Sequence, residues 1–181
     1  SGFDLIVSEN SNSIRQDECI DLEYNEYGNY LGVIFYQGGT PNNILFSTST
    51  DGSSWSSLQT VVSTAELPGE KIYLDFADES SLVAVAYYNN FNSQFEIATS
   101  SNRASWSTST IVDLSSFGNT RPIGMKISGG SGSEIIHAMY ISDDGIGGSV
   151  KMDITYTTSS NFGSTWSTTT IASELNDTAG E

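Results

Sequence analysis

Short apolar runs recur along the chain, and segments rich in Gly, Asn, Ser and Asp separate them. Val, Ile, Tyr, Phe and Thr dominate these runs, and nowhere do apolar residues keep the 3.6-residue spacing of an amphipathic helix over three turns. Runs of β-branched and aromatic residues that are bounded by turn residues are typical of β-strands. The pattern therefore predicts an all-β chain with almost no helix.

The runs are of four types, and the types follow one another in the same order three times. An alternating run lies at 20–24, 72–76 and 123–127, and a more apolar run lies at 31–36, 82–88 and 135–141. The third type lies at 44–48, 95–99 and 153–157, and the fourth lies at 60–63, 110–113 and 170–173. Four antiparallel strands repeated at about 50 residues are typical of β-propeller blades. We predict a single domain over 1–181 that contains three four-stranded antiparallel blades, at 20–63, 71–113 and 123–173.

A Ser-rich turn that ends in tryptophan stands between the third and fourth runs of every unit. Its main residues are Ser49, Asp51 and Trp55, then Ser100, Asn102 and Trp106, then Ser159, Asn161, Gly163 and Trp166. Short Asp and Asn side chains accept hydrogen bonds from backbone N–H groups one or two residues on, and Gly163 suits a position with positive φ. A tryptophan can bury roughly 200 Å² between neighbouring strands. We therefore interpret these residues as structural.

The turns resemble the Asp-box (BNR repeat) of sialidase-like propellers, whose pattern is Ser-x-Asp-x-Gly-x-Thr-Trp between the third and fourth strands of a blade. Residues 159–166 match the pattern at Ser159, Gly163, Thr165 and Trp166, and Asn161 replaces the acid. The first two turns are one residue shorter, Gly52 is displaced, and the second turn has no glycine. The resemblance implies a sialidase-like β-propeller over residues 20–173.

Three blades leave a ring open, since propellers of this family usually have six. The run "DLIVS" at 4–8 is similar to the fourth strands, so residues 1–19 are predicted to supply an outer strand and a loop. Three arrangements remain open: a fragment of a longer propeller, two copies that close a six-bladed ring, or an open stack capped by partners, as in a trimeric fibre tip. Because exposed strand edges and apolar faces invite association, we expect a homo-oligomer (dimer or trimer) or further blades in a longer parent chain.

Charge narrows the range of partners. The chain carries 22 acidic and six basic residues, a net charge of −16. Such a surface repels nucleic-acid backbones and anionic membrane surfaces, and no apolar run approaches the roughly 18 residues of a membrane-spanning helix. We expect no nucleic-acid partner and no membrane insertion. Cys19 has no second cysteine to pair with and is interpreted as a small buried apolar residue.

One end of the predicted blades is a candidate ligand site. In an up-and-down blade, the connections opposite the Ser-rich turns share one end, and four of the six basic residues fall there: Arg15, Lys71, Arg121 and Lys151. Cations in so acidic a chain indicate an anionic ligand such as a sialic or uronic acid, which an arginine can hold in bidentate fashion. Phe91, in a polar loop, is a candidate for stacking on a sugar ring. The alternative interpretation is scattered solubility charges and an aromatic ring that only covers a loop.

Catalysis is not indicated by the same residues. The resemblance implies that a sialidase would need three arginines, a Tyr–Glu nucleophile pair and an acid/base Asp, whereas one of the three arginines here, Arg103, lies in a Ser-rich turn at the opposite end. Asp143 and Asp144 are interpreted as a turn rather than a calcium site, and His137 as a strand residue with a hydrogen-bond partner. We predict no metal, no cofactor and a non-catalytic recognition module, lectin-like or adhesin-like, that binds a glycan or another ligand at an extracellular or cell surface. A glycosidase fragment and a structural oligomerisation domain are the alternatives.

Overall fold

The described residues form three β-sheets. The computed structural model describes residues 20–38, 41–64, 72–115, 121–143 and 151–176, and within these ranges it contains twelve strands and no helix. Each sheet has four strands that lie side by side in chain order, and every neighbouring pair is antiparallel. The prediction of an all-β chain with three four-stranded antiparallel units is confirmed. It follows that the described ranges contain no helix long and apolar enough to cross a membrane.

The strands are as follows. Sheet 1 comprises β1 (Ile20–Asn25), β2 (Tyr30–Gln37), β3 (Asn42–Ser49) and β4 (Gln59–Thr64). Sheet 2 comprises β5 (Tyr73–Phe76), β6 (Val83–Asn89), β7 (Gln94–Ser100) and β8 (Ser107–Asp113). Sheet 3 comprises β9 (Arg121–Ser128), β10 (Ile135–Asp143), β11 (Lys151–Ser159) and β12 (Ser167–Asn176). The predicted strand at 4–8 and Cys19 lie outside the described residues.

Sheet 2 lies between the other two. One core cluster joins sheet 1 to sheet 2 and includes Ile34 and Phe46 on one side and Leu74 and Val85 on the other. A second cluster joins sheet 2 to sheet 3. The first five residues of β6, VAVAY, are consequently buried on both faces of the strand, whereas only Asn25 is buried in β1. Apolar side chains on both faces of a strand are expected only where the sheet is covered on both sides.

The first strands of the three sheets lie together. β5 contacts β1 on one side and β9 on the other, while the fourth strand of each sheet forms its far edge. Asp21 in β1 accepts a hydrogen bond from the backbone N–H of Leu74 in β5 at 2.8 Å, and Asp75 in β5 accepts one from the N–H of Ile127 in β9. These bonds fix the spacing of neighbouring sheets at their inner edges.

Candidate functional site

The hydrogen-bond registers relate residues of paired strands to counterparts in the other two sheets. Thr48, Thr99 and Thr158 mark one such row, because each comes just before the first serine of a Ser-rich turn. These threonines pair with the second-strand residues Gly32, Ala84 and His137, respectively. We term residues that share a register position equivalent.

One set of equivalent residues on the innermost strands forms a charged cluster. Glu23, Asp75 and Lys126 pair with Gly32, Ala84 and His137, respectively, and are therefore equivalent. The Nζ atom of Lys126 lies 3.1 Å from Oε1 of Glu23 and 2.9 Å from Oδ1 of Asp75. Side chains from β1, β5 and β9 thus meet at one point, as expected if the sheets fan out from a common axis.

Burial sets the protonation behaviour of this cluster. Desolvation raises the pKa of Asp75 above its ordinary value, although the ammonium of Lys126 and the N–H of Ile127 act in the opposite direction. Partial desolvation opposes the charge of Lys126, but the carboxylates of Asp75 and Glu23 outweigh it, so the pKa of Lys126 is also raised. The charge of Lys126 therefore offsets part of the cost of burying the ionised carboxylate of Asp75.

Each Ser-rich turn is organised by one short acceptor side chain. Oδ1 of Asp51 accepts hydrogen bonds from the N–H groups of Ser53 at 2.8 Å and Ser54 at 2.7 Å, and these bonds, that of Ser54 first, hold the pKa of Asp51 well below its usual range. Oδ1 of Asn102 accepts from the N–H groups of Ala104 and Ser105, and Oδ1 of Asn161 accepts from that of Thr165 at 2.9 Å. The first serine of each turn, Ser49, Ser100 or Ser159, donates its hydroxyl to the same acceptor. An amide oxygen therefore replaces the acid in two of the turns.

The residue that follows the acceptor side chain has positive φ in all three turns. Gly52 has φ 70°, Arg103 has φ 62° and Phe162 has φ 58°, and the longer third turn adds Gly163 at φ 82°. The glycine of the first turn therefore occupies the shared left-handed position, whereas that of the third turn is the additional residue. The guanidinium of Arg103 lies over the ring of Tyr30 in sheet 1, with Cζ 4.7 Å from the ring centroid. Such a contact is favourable by about 0.5–1 kcal/mol at an exposed site and offsets part of the cost of the left-handed conformation.

The tryptophans differ in what they contact. Trp106 packs against the first core cluster, edge to face on Phe46 with ring centroids 5.5 Å apart, and Trp166 packs against the second cluster. In both cases the ring lies on the preceding sheet. Trp55 is half-buried but belongs to neither cluster of described residues, because no sheet precedes sheet 1 within the described ranges.

The third turn is also held by hydroxyl groups of the sheet that it covers. Thr99 in β7 donates to the carbonyl oxygen of Phe162 at 3.4 Å, and Ser109 in β8 donates to that of Gly163 at 2.8 Å. A Cβ on Gly163 would lie 2.9 Å from the Ser109 hydroxyl oxygen and 3.1 Å from Ile97. The turn therefore sits directly on sheet 2, and its glycine permits the close approach.

The predicted ligand residues are brought together only in part. Arg15 and Lys71 lie outside the described residues. Arg121 and Lys151, predicted in loops, are instead the first residues of β9 and β11, because the ladders continue to Arg121–Ile141 and Lys151–Asn176. Phe91 lies in the turn between β6 and β7 and is 65% exposed. The backbones of Arg121 and Lys151 therefore lie at the same end of sheet 3, and this end corresponds to the end of sheet 2 that carries Phe91.

His137 and Asp143 are both residues of β10. His137 in β10 is hydrogen-bonded through Nε2 to the hydroxyl of Ser128 at 2.6 Å and through Nδ1 to that of Tyr156 at 2.5 Å. Asp143 is the last residue of β10, and Asp144 lies outside the described residues. Within the described ranges, no group of three or more His, Cys, Asp and Glu side chains is arranged to hold a metal ion.

Two apolar sheet faces are covered only in part by the described residues, and no residues were assigned to them from the sequence. The outer face of sheet 1, which points away from sheet 2, presents the exposed side chains of Leu22 and Tyr24 beside the partly buried Leu31 and Phe35, whereas Val33 on the same face is buried. The outer face of sheet 3 presents the exposed Ile135, and further residues of this face are partly buried: His137, Met139, Ile141, Ile154 and Tyr156. The sequence signal for the first face was the run at 20–24, whose apolar positions 22 and 24 repeat those of the buried residues Leu74 and Phe76.

Neither the models of known protein families nor the curated proteins compared show a significant match to the sequence.

Proposed function

We propose that the chain forms three blades of a sialidase-like β-propeller and serves as a non-catalytic recognition module. The observation that carries the proposal is the meeting of the equivalent residues Glu23, Asp75 and Lys126, since side chains from the same position of successive blades converge only around a common axis. The repeated placement of Trp106 and Trp166 on the preceding sheet supports the same arrangement. A rigid scaffold of this kind presents its loops as a binding surface.

The proposed ligand is a carbohydrate or another cell-surface group, of acidic character, at the end opposite the Ser-rich turns. Support comes from the shared end of Arg121 and Lys151 in sheet 3 and from the exposed ring of Phe91 at the corresponding end of sheet 2. Cations bind the carboxylate of an acidic sugar, and an aromatic face can pack on a sugar ring. An extracellular or cell-surface location is part of this proposal and agrees with the net charge of −16.

The placement of the arginines favours binding over sialidase chemistry. Arg103 lies in the second Ser-rich turn and is engaged with the ring of Tyr30. Arg121 begins β9 at the opposite end of the sheets. The backbone positions of these two arginines at opposite ends of the sheets argue against a joint role on one substrate carboxylate. A structural oligomerisation domain is the second candidate function, and the partly covered outer faces of sheets 1 and 3 favour it.

Binding of the chain to an array of neutral and acidic glycans tests the proposal. We expect a preference for glycans that carry sialic or uronic acid, and we expect Phe91→Ala and Arg121→Ala each to weaken binding at least about tenfold. Arg103→Gly is the matched control, because it removes the same charge at the other end and glycine accepts the positive φ of that position. An array without binding would favour the structural domain instead. Release of a fluorescent group from a sialoside, abolished by Arg121→Ala, would establish the glycosidase alternative.

A further inference from the structure

The partly covered faces are the two halves of an interface that occurs twice within the chain. We propose that a second copy of the chain covers them head to tail, so that the outer face of sheet 1 in one copy packs on the outer face of sheet 3 in the other. The inference rests on the blade arrangement proposed above but not on the glycan ligand.

Equivalent positions show that the outer face of sheet 1 has the character of a covered surface. Leu22 is equivalent to Leu74 and Met125, since these residues pair with Val33, Val85 and Ala138, respectively. Leu22 is 54% exposed, whereas Leu74 and Met125 are 2% and 6% exposed. Tyr24 differs in the same way from its buried equivalents Phe76 and Ile127. The residue types of β1 are like those of β5 and β9, but no sheet of the described residues covers β1. Val33, which pairs with Leu22, is nevertheless buried like its equivalents Val85 and Ala138.

The outer face of sheet 3 carries the groups that receive a Ser-rich turn elsewhere. Thr158 is equivalent to Thr99, and Thr169 is equivalent to Ser109, because they follow the same register relative to Trp166 and Trp106. Thr99 and Ser109 are the two hydroxyl donors that hold the third turn on sheet 2. Sheet 3 therefore offers hydroxyl groups at both positions to the turn at 49–55 of another copy.

Aromatic residues supply the matching packing contact. Tyr156 is equivalent to Phe46, on which the ring of Trp106 lies edge to face. In a head-to-tail contact, Trp55 of one copy would take the same place on Tyr156 of the other. Aromatic pairs of this geometry contribute beyond the burial of their area, and the half-buried Trp55 gains the support that the other tryptophans already have.

One equivalent position distinguishes the proposed contact from the internal ones. Phe76 approaches Gly32 so closely that a Cβ there would overlap the ring, whereas the residue equivalent to Gly32 in sheet 3 is His137. Tyr24, which is equivalent to Phe76, would thus stack on an imidazole ring rather than fill a gap. The proposed interface is consequently wider than the internal interfaces and dissociates more readily.

A second copy is the occupant because one chain holds both complementary halves. A foreign protein would have to match one face alone, whereas the two faces of this chain carry residues equivalent to those of its internal contacts: Leu22 and Tyr24 on one face, and Tyr156, Thr158 and Thr169 on the other. Such a contact is heterologous, and it closes when the rotation between copies permits. The three sheets of the described residues would close into a six-sheet ring with those of the second copy. Apart from His137, the named residues of the two faces are uncharged, so salt does not weaken ion pairs between them. Salt should instead screen the repulsion between the two acidic chains and strengthen their association.

Paired charge variants test the proposal in the full chain. Tyr24 and Ile135 stand in positions equivalent to Phe76 and Tyr30, whose ring centroids lie 5.3 Å apart, so they should face each other across the contact. Both are well exposed in a single chain, and Tyr24→Glu and Ile135→Lys should therefore fold, which circular dichroism checks. Light scattering and sedimentation should give twice the mass of one chain for the wild type and one chain for either variant, with association weakened about 100-fold.

An equimolar mixture of the two variants should recover the particle of two chains. In the mixture, one contact is native, and the other brings the two introduced side chains, which carry opposite charges, face to face. Phe162→Lys, which changes an exposed ring on the side of sheet 3 that faces sheet 2, should leave association unchanged. A monomeric wild type would overturn the proposal, because it shows that the faces make no contact. A mixture of the variants that stays monomeric would also overturn it, and so would a dimer that only one of the variants disrupts, because a contact that uses only one face is symmetric. Larger head-to-tail particles would support the contact and exclude closure at two copies. Glycan binding by the same variants reports separately on the function proposed above.

Discussion

The contrast between Trp106 and Trp55 allows the packing energy of one Ser-rich turn to be predicted. Trp106 lies on Phe46 of the neighbouring sheet, and its indole nitrogen has no hydrogen-bond partner among the described residues, so the ring acts by packing. Truncation of a buried tryptophan costs about 3–5 kcal/mol. Because the ring is partly exposed, we expect Trp106→Ala to lower the free energy of unfolding by about 3 kcal/mol. Trp55 has no preceding sheet within the described ranges, so Trp55→Ala should cost about 1 kcal/mol or less.

Urea unfolding, followed by circular dichroism at a dilution where the chain is monomeric, measures both effects. With a slope of about 2 kcal/mol per molar urea, Trp106→Ala should lower the unfolding midpoint by about 1.5 M and Trp55→Ala by about 0.5 M or less. Trp166→Ala should resemble Trp106→Ala, since its ring also packs on a preceding sheet. If Trp55→Ala and Trp106→Ala lower the free energy of unfolding equally, the ring stabilises its own turn and not the packing on the preceding sheet. This result would contradict the prediction.

Two further predictions concern the interior. Gly32→Ala should destabilise the fold by about 1–3 kcal/mol, because the new methyl group would press on the buried ring of Phe76. Gly124→Ala is the control and should change the unfolding midpoint little, because a Cβ there meets nothing within 4 Å. Equal losses of stability in the two variants would contradict the close approach of Phe76 to Gly32. Lys126→Met should destabilise by about 1–2 kcal/mol at pH 7 and less at pH 4, since Asp75, whose pKa is already raised, can then be protonated. With lysine present, the stabilisation by the ion pair is complete between the titration range of Asp75 and the unfolded pKa of lysine, and it is lost as pH rises through the raised folded pKa of Lys126. A loss that is independent of pH between 4 and 7 would exclude this account.

Local chemistry explains how much of the fold could be predicted from the sequence. The strands followed from short apolar runs, and the hydrogen bonds of a turn depend on side chains within a few residues, such as Asp51 with Ser53 and Ser54. The apolar runs predicted starts of β9 and β11 that lie too far along the chain. Arg121 and Lys151 have no apolar side chain, but their backbones already belong to the ladders. A strand end depends on the partner strand, and a single run does not reveal it.

Contacts between distant segments could not be predicted in this way. Lys126 reaches Glu23 and Asp75 across three strands, and only the common register of the sheets brings these residues together. The same holds for the positive φ of Arg103, which follows from its equivalence to Gly52 and not from its own side chain. The exposed fraction of Leu22 likewise depends on a neighbouring sheet, and the apolar pattern of β1 is the same with or without one.

The direction in which the turns point gives the stack of sheets a polarity. Trp106 and Trp166 each reach back to the preceding sheet, and Thr99 and Ser109 donate to the turn that follows. Among the described residues, such a stack has two unlike faces, one with the turn of Trp55 and one with the hydroxyl groups of Thr158 and Thr169. Identical faces do not complement each other, and this polarity is the basis of the head-to-tail contact proposed above. The candidate ligand end, marked by Phe91, lies at neither face, and recognition and assembly would therefore use separate surfaces.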